Sequence, residues 1–313
     1  MTRLTDAALI ALDWGTSSLR AWCLDQSGRV LASTASPEGI MSVPVGGFAD
    51  VFARVVAPWR AARPDLPALA SGMIGSAQGW REAPYLPCPA GPNELARAMA
   101  FLPDWGLHIV PGVAQRRPAN VMRGEETQIA GALAERPELA ASAHLVLPGT
   151  HSKWVAIADG RITDFSTYMT GELFAVLRQH SILGRLVTPD LPPATPEQTD
   201  QAFSAGVAAA RQGSILPQLF ATRAEALLGE MPAAVSLDYL SGLLIGGEIA
   251  SALAVRHPAA APILIGASGL VARYRQALDS FGLPGAEHID NTAVTGLWRI
   301  ACAAGLVTPS TGE

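Results

Sequence analysis

Apolar and polar positions alternate with period two over residues 8–14, 19–24 and 30–34, with Gly15-Thr16-Ser17-Ser18 and Gln26-Ser27-Gly28-Arg29 between the runs. Alternation broken by turns of that chemistry predicts an antiparallel meander of three strands. Near Phe48 the period lengthens to about 3.6 residues and a helix is expected. A short strand then feeds a glycine-rich loop, SGMIGSAQGW (71–80), and a Pro-rich stretch covers 83–92. NELARAMAFL (93–102) reads as a short helix, LHIVPGV (107–113) as a strand, and GEETQIAGALAERPEL (124–139) as a helix broken by Pro137.

Over residues 143–177 the opening pattern returns: strand, Gly-Thr turn, strand, glycine turn, strand, helix. LDWGTSSLRAWCLDQSGRV and LPGTHSKWVAIADGRI share the Gly-Thr pair, the polar turn, the apolar second strand and a Gly-Arg-aliphatic exit. A repeat this long is a duplicated domain and not a solenoid array. Helical patterns fill 192–280, apart from a buried strand, APILIGAS (261–268), that runs into the helix GLVARYRQAL. The expected architecture is α/β, with domains at 1–141 and 142–313, each on a mixed five-stranded sheet. The C-terminal helix, 291–306, is expected to pack back on the first domain.

Composition narrows the partners. A net charge of −5 with dispersed Arg and Lys argues against nucleic acid or an anionic membrane, and points to a small-molecule ligand. Cys23, Cys88 and Cys302 form no C-x-x-C pair and read as buried small hydrophobes in a reducing compartment. The first residues, with Arg3 and Asp6 before a short apolar run, lack the layout of a secretory signal. The longest uncharged apolar span, 258–272, is too short to cross a bilayer. A cytoplasmic chain is expected, and a homodimer is left open.

The chemistry concentrates in the turns. An acid ending a buried strand is costly unless paired, so Asp13 is a candidate to hold Mg²⁺ or its waters. Gly15 admits a ligand close to the backbone, Thr16, Ser17 and Ser18 offer hydroxyl and N–H donors to anionic oxygens, and Arg20 adds a cation. The second copy offers Gly149, Thr150, His151, Ser152 and Lys153, with Pro148 where the aspartate stood. Gly266, Ser268 and Gly269 lie where a strand enters a helix, a place suited to a nucleotide. No G-x-x-x-x-G-K-[ST] motif occurs, which excludes a P-loop enzyme.

Together these segments resemble the sugar kinase, heat-shock-70 and actin superfamily. That resemblance implies two ribonuclease-H-like domains (the actin-like ATPase fold) around a nucleotide cleft, the two Gly-Thr turns binding the phosphates of MgATP and the Gly266–Gly269 turn binding adenosine. Over nearly the whole chain ALDWGTSSLRAW, SGMIGSAQGW, RGEETQIAGAL, LPGTHSKWV and TYMTGELFAVL resemble the 2-dehydro-3-deoxygalactonokinase family. The resemblance implies phosphorylation of the 6-hydroxyl of 2-dehydro-3-deoxy-D-galactonate in galactonate catabolism. Such a kinase needs a carboxylate to accept the hydroxyl proton. Glu125 or Glu126, beside Arg123, is expected to supply it, ahead of Asp104 and Glu82. Gly72, Met73, Ile74, Gly75, Ser76 and Trp80 resemble the substrate loop, with Arg81 or Arg123 facing the substrate carboxylate and Arg178 and His180 on the other side. A kinase of another sugar acid, an exopolyphosphatase-like phosphohydrolase and a filament-forming actin-like protein are the alternatives.

Overall fold

A computed structural model describes residues 4–308 apart from Pro189, His257 and Ala259, so Arg3 lies outside the described residues. The chain opens as expected with a meander, β1 (Ala7–Trp14), β2 (Leu19–Asp25) and β3 (Val30–Ser36), in antiparallel register with Asp13 opposite Arg20. Helix α1 (Phe48–Ala62) turns Phe52, Val56 and Trp59 into the core against the buried side of β1. Strand β4 (Ala68–Ser71) pairs parallel to β1, which brings Ser71 beside Asp13 at the strand ends.

The chain then leaves the expected path. Strand β5 (Tyr85–Pro87), helix α2 (Pro92–Arg97), and strands β6 (Ala100–Leu102), β7 (Leu107–Ile109), β8 (Gly112–Arg116) and β9 (Ala119–Met122) follow in quick succession. The first sheet has order β3-β2-β1-β4-β7-β6, six strands and not five, because 100–102 folds back as an antiparallel edge strand instead of extending α2. Strand β5, from the Pro-rich region, joins β8 and β9 in a small separate sheet. Three-residue strands are too short to show a period of two. Helix α3 (Glu125–Glu135) ends ahead of Pro137, where a single 3₁₀ turn takes over.

Strands β10 (Ser142–Leu147), β11 (Ser152–Ala158) and β12 (Arg161–Tyr168) form the second meander. Helices α4 (Thr170–His180), α5 (Pro196–Ala210), α6 (Ile215–Leu228) and α7 (Ser236–Val255) follow. Strand β13 (Ile263–Ile265), helix α8 (Ser268–Ser280), strand β14 (His288–Ile289) and helix α9 (Ala293–Ala303) complete the chain. This sheet has order β12-β11-β10-β13-β14, with β13 parallel to β10 and β14 parallel to β13. Both sheets thus open as an antiparallel meander and continue with parallel strands, the ribonuclease-H-like arrangement twice over.

The chain divides into two units, Met1–Ala143 with Ala156–Phe165 and Asn291–Glu313, and His144–Val155 with Ser166–Asp290. The hairpin tip therefore counts with the first unit, where Ile162 bridges Ala90. Helix α9 packs on α3 within that unit through paired glycines: a Cβ on Gly131 would strike Thr292 O, and one on Gly296 would strike Thr127 O. In the second unit Gly206 of α5 and Gly242 of α7 cross in the same way, and Val146, Phe203, Ile245, Ile249, Leu264 and Leu278 form the core. The helical run Ala233–Val255 is long and apolar enough to cross a bilayer by length and composition, yet most of it is buried inside this unit. The three thiols are free; Cys23 is buried, while Cys88 and Cys302 are only half-buried, short of the full burial expected for all three.

Candidate active site

The strand β1 delivers Asp13 to the mouth of the first turn with its side chain 16% exposed. Burial pushes its carboxyl above the ordinary range, the paired Arg20 guanidinium opposes that, and the nearby charge of Glu125 adds to it. The turn closes on itself through Gly15 N–H donating to Ser18 O (2.9 Å). The segment after β3 then clasps it: Ile40 N–H donates to Gly15 O (3.0 Å) and Met41 N–H to Thr16 O (3.2 Å). Gly39 lies flat on Ser17, where any side chain would collide with the backbone. Thr16, Ser17 and Ser18 remain exposed, with no side-chain hydrogen bond among the described residues.

Behind Asp13 the glycine-rich loop turns sharply. Gly72 has φ 95°, and a Cβ there would sit 2.8 Å from Trp14 O and 3.4 Å from Asp13 Oδ1. Gly124, with φ 107°, lies against Gly72 and starts α3, so the loop, Asp13 and the glutamate pair meet in one place. The two acids behave differently. Glu125 is half-exposed and accepts from Arg123 N–H (3.0 Å). Glu126 is 1% exposed and accepts from Gly124 N–H (2.7 Å) and Thr127 Oγ1–H (3.1 Å). Burial, then the charge of Glu125, raises Glu126 to about 7. Both accept from N–H groups just ahead of the helix and stand in its first turn, where the helix dipole favours acids.

Arg123 is buried against this loop. Its guanidinium stacks over Tyr85 (4.3 Å to the ring centre) and donates to Ala83 O (2.8 Å). Nε and Nη1 have no hydrogen-bond partner among the described residues, and neither do Ser71 Oγ and Ser76 Oγ. Met73, Ile74 and Gly75 form a 3₁₀ turn. Trp80 packs into the aromatic cluster with Trp105 and Phe52 instead of standing free, and Arg81 is exposed.

In the second unit Gly149 and Thr150 occupy the matching turn, and the same clasp recurs at the start of α4. Glu172 N–H donates to Thr150 O (3.0 Å), and a Cβ on Gly171 would meet Gly149 O at 2.5 Å. His151 is exposed and pairs with Glu172. Ser152 and Lys153 lie deeper than the sequence suggests: Ser152 is fully buried behind the turn, and Lys153, 3% exposed, donates from Nζ to His151 O (3.0 Å). Arg178 and His180 are exposed at the end of α4. Gly266 has φ 148°, its carbonyl bonded to His288 Nε2 (2.7 Å). Helix α8 starts after Ala267, which has no side-chain oxygen to cap it, so the first N–H groups at Ser268 and Gly269 face outward uncapped.

Four residues behind the second turn escape any reading by spacing: Trp154, Thr170, Glu248 and Tyr274 join Ser152 in one buried hydrogen-bonded group. The only sequence signal is an acid amid the apolar run Leu243 to Ile249.

The comparisons agree on one family. The family model described as 2-keto-3-deoxy-galactonokinase matches residues 13–300. The 2-dehydro-3-deoxygalactonokinase of Escherichia coli (strain K12) is 42% identical over 294 residues, covering 93% of this chain and 94% of that protein. A Rhizobium meliloti (strain 1021) protein described as a candidate for the same activity is 43% identical over 284 residues, covering 87% and 89%. A solved structure from Sinorhizobium meliloti, likewise described as a candidate 2-dehydro-3-deoxygalactonokinase, superposes with a TM-score of 0.84 at 40% identity, covering 94% of this chain and 98% of that one. The chain belongs to the 2-keto-3-deoxy-galactonokinase family.

Proposed function

We propose that this chain is an ATP-dependent kinase that phosphorylates the 6-hydroxyl of 2-dehydro-3-deoxy-D-galactonate. The observation that carries the chemistry is the meeting of Asp13, Gly72, Gly124 and Glu125 at the first turn. Glu125 accepts the hydroxyl proton, since it is half-exposed and within electrostatic reach of Asp13, while Glu126 is sealed and serves the helix start. The sugar oxygen forms its bond to the γ-phosphorus as the bond to the β–γ bridging oxygen breaks, and ADP leaves.

The exposed hydroxyls and turn N–H groups at Thr16–Ser18 and Thr150 suit phosphate oxygens, and the uncapped start of α8 suits the nucleoside end. Asp13 fits Mg²⁺, an ion that takes one or two carboxylates plus phosphates and waters; among the described residues no group of three or more His, Cys, Asp or Glu side chains could hold a metal by itself. Bound Mg²⁺ would neutralise charge on the transferring phosphates. Arg123 is the favoured partner for the substrate carboxylate, because its Nε and Nη1 carry no partner of their own beside Gly75.

A coupled ADP-release assay across 2-keto-3-deoxy sugar acids tests this reading. Strong turnover is expected with the galactonate epimer and little with unmodified hexoses. Equal rates on glucose would overturn the substrate, and phosphate release without any sugar acid would favour a phosphohydrolase.

A further inference from the structure

Glu248 stands in the middle of α7, 4% exposed, with no cationic partner among the described residues. Three neutral donors hold it: Trp154 Nε1–H (2.8 Å) on Oε1, and Tyr274 O–H (2.7 Å) and Thr170 Oγ1–H on Oε2. Burial raises its carboxyl and these hydrogen bonds oppose that. Such an acid costs stability that an apolar residue would not.

What the charge provides is direction. A carboxylate only accepts, so the single proton of Tyr274 is committed to Glu248. In the 2.8 Å contact between Tyr274 and Ser152 the serine is therefore the donor, and its hydroxyl also lies within reach of Glu248 itself. That leaves the Ser152 lone pairs facing Gly149 N–H (3.4 Å), the contact that closes the second turn. The first turn closes instead on a backbone carbonyl, Ser18 O, and needs no such chain.

We infer that Glu248 is a positioning residue for the phosphates of ATP: acting through Tyr274 and Ser152, it sets the hydrogen-bond polarity that shapes the Gly149-Thr150 turn. Because Tyr274 sits on α8, the same chain ties the adenosine end of the site to the phosphate turn. The inference rests on the proposed reading that this turn receives phosphate.

In Glu248→Gln the amide oxygen still serves Trp154, but the NH₂ now donates to Tyr274 and reverses the chain. Ser152 is then left with two donors pointing at it and no acceptor for its own proton. Calorimetry with ATP and Mg²⁺, in the absence of sugar acid, reads the effect directly. Glu248→Gln and Tyr274→Phe are each expected to weaken ATP binding about tenfold, the scale of one misdirected hydrogen bond. The double variant should lose no more than either single one, because both act on one chain. The KM for the sugar acid should stay unchanged. Should Glu248→Gln not fold, Tyr274→Phe decides the matter alone. Unaltered ATP affinity in a folded variant, even with a lowered melting temperature, overturns the inference. A wild-type protein that binds no ATP overturns the phosphate reading on which it stands.

Discussion

The two Gly-Thr turns share one backbone device and differ in where their acids stand. Each follows the first strand of a meander, and each is clasped by a glycine that lies on the turn while a nearby N–H bonds the threonine carbonyl: Gly39 and Met41 in one unit, Gly171 and Glu172 in the other. The first turn carries its acid in front, where Asp13 stands at the mouth with Arg20 and near Glu125. In the second, Pro148 replaces that acid, Glu172 pairs with His151 on the exposed side, and a further carboxylate, Glu248, lies buried behind the turn. Duplication has thus kept the backbone grip and divided the charge. One turn presents a paired carboxylate beside the glutamate pair; the other rests on a buried hydrogen-bonded group.

Removing charge from the front should break the comparison most severely. Glu125→Gln is expected to lower kcat by about 10²–10⁴-fold, the usual contribution of a general base, with ATP affinity retained. Asp13→Asn should weaken Mg²⁺ dependence alongside, and Pro148→Asp should restore neither. A Glu125→Gln enzyme within tenfold of wild type would move the base elsewhere.

The buried neighbour gives a pH signature. Glu126 binds its proton more tightly in the folded chain, about 7 against an ordinary 4.5, so the stability this confers is full below pH 4.5 and is lost as pH rises through 7. Relative to Glu126→Gln, wild type should lose up to about 3 kcal/mol across that window in urea titrations. Parallel curves for the two proteins would show that Glu126 is not held this way.

The clasp glycines make the smallest and most symmetrical test. Gly39→Ala and Gly171→Ala should each destabilise by about 1–3 kcal/mol, since the new methyl meets turn backbone. Gly149→Ala should leave thermal stability unchanged, because a Cβ there meets nothing within 4 Å. If a phosphate comes close to that backbone, the same variant should still lose ATP affinity. Unchanged affinity would mean that the ligand does not approach Gly149.

The meanders, the duplication and the glutamate pair were legible because they are local: periods of two, a Gly-Thr turn and an acid-rich helix start each declare themselves within a few residues. The β5-β8-β9 sheet was not, since strands of three to five residues bounded by proline look like loop. Nor was the clasp, although Gly39 and Gly171 extend the repeat already visible in the sequence. Ser152 read as a surface donor because its partner, Tyr274, stands far along the chain. Glu248 drew no reading, because a lone acid in an apolar helical run does not declare partners as distant as Trp154, Thr170 and Tyr274.

Amide hydrogen exchange with Mg²⁺ and a non-hydrolysable ATP analogue tests the shared grip most directly. Slowed exchange is expected at residues 15–18 and 149–151 together, with the start of α8 following. Protection confined to one turn, or lying wholly outside both, would contradict a phosphate site built from the duplicated device.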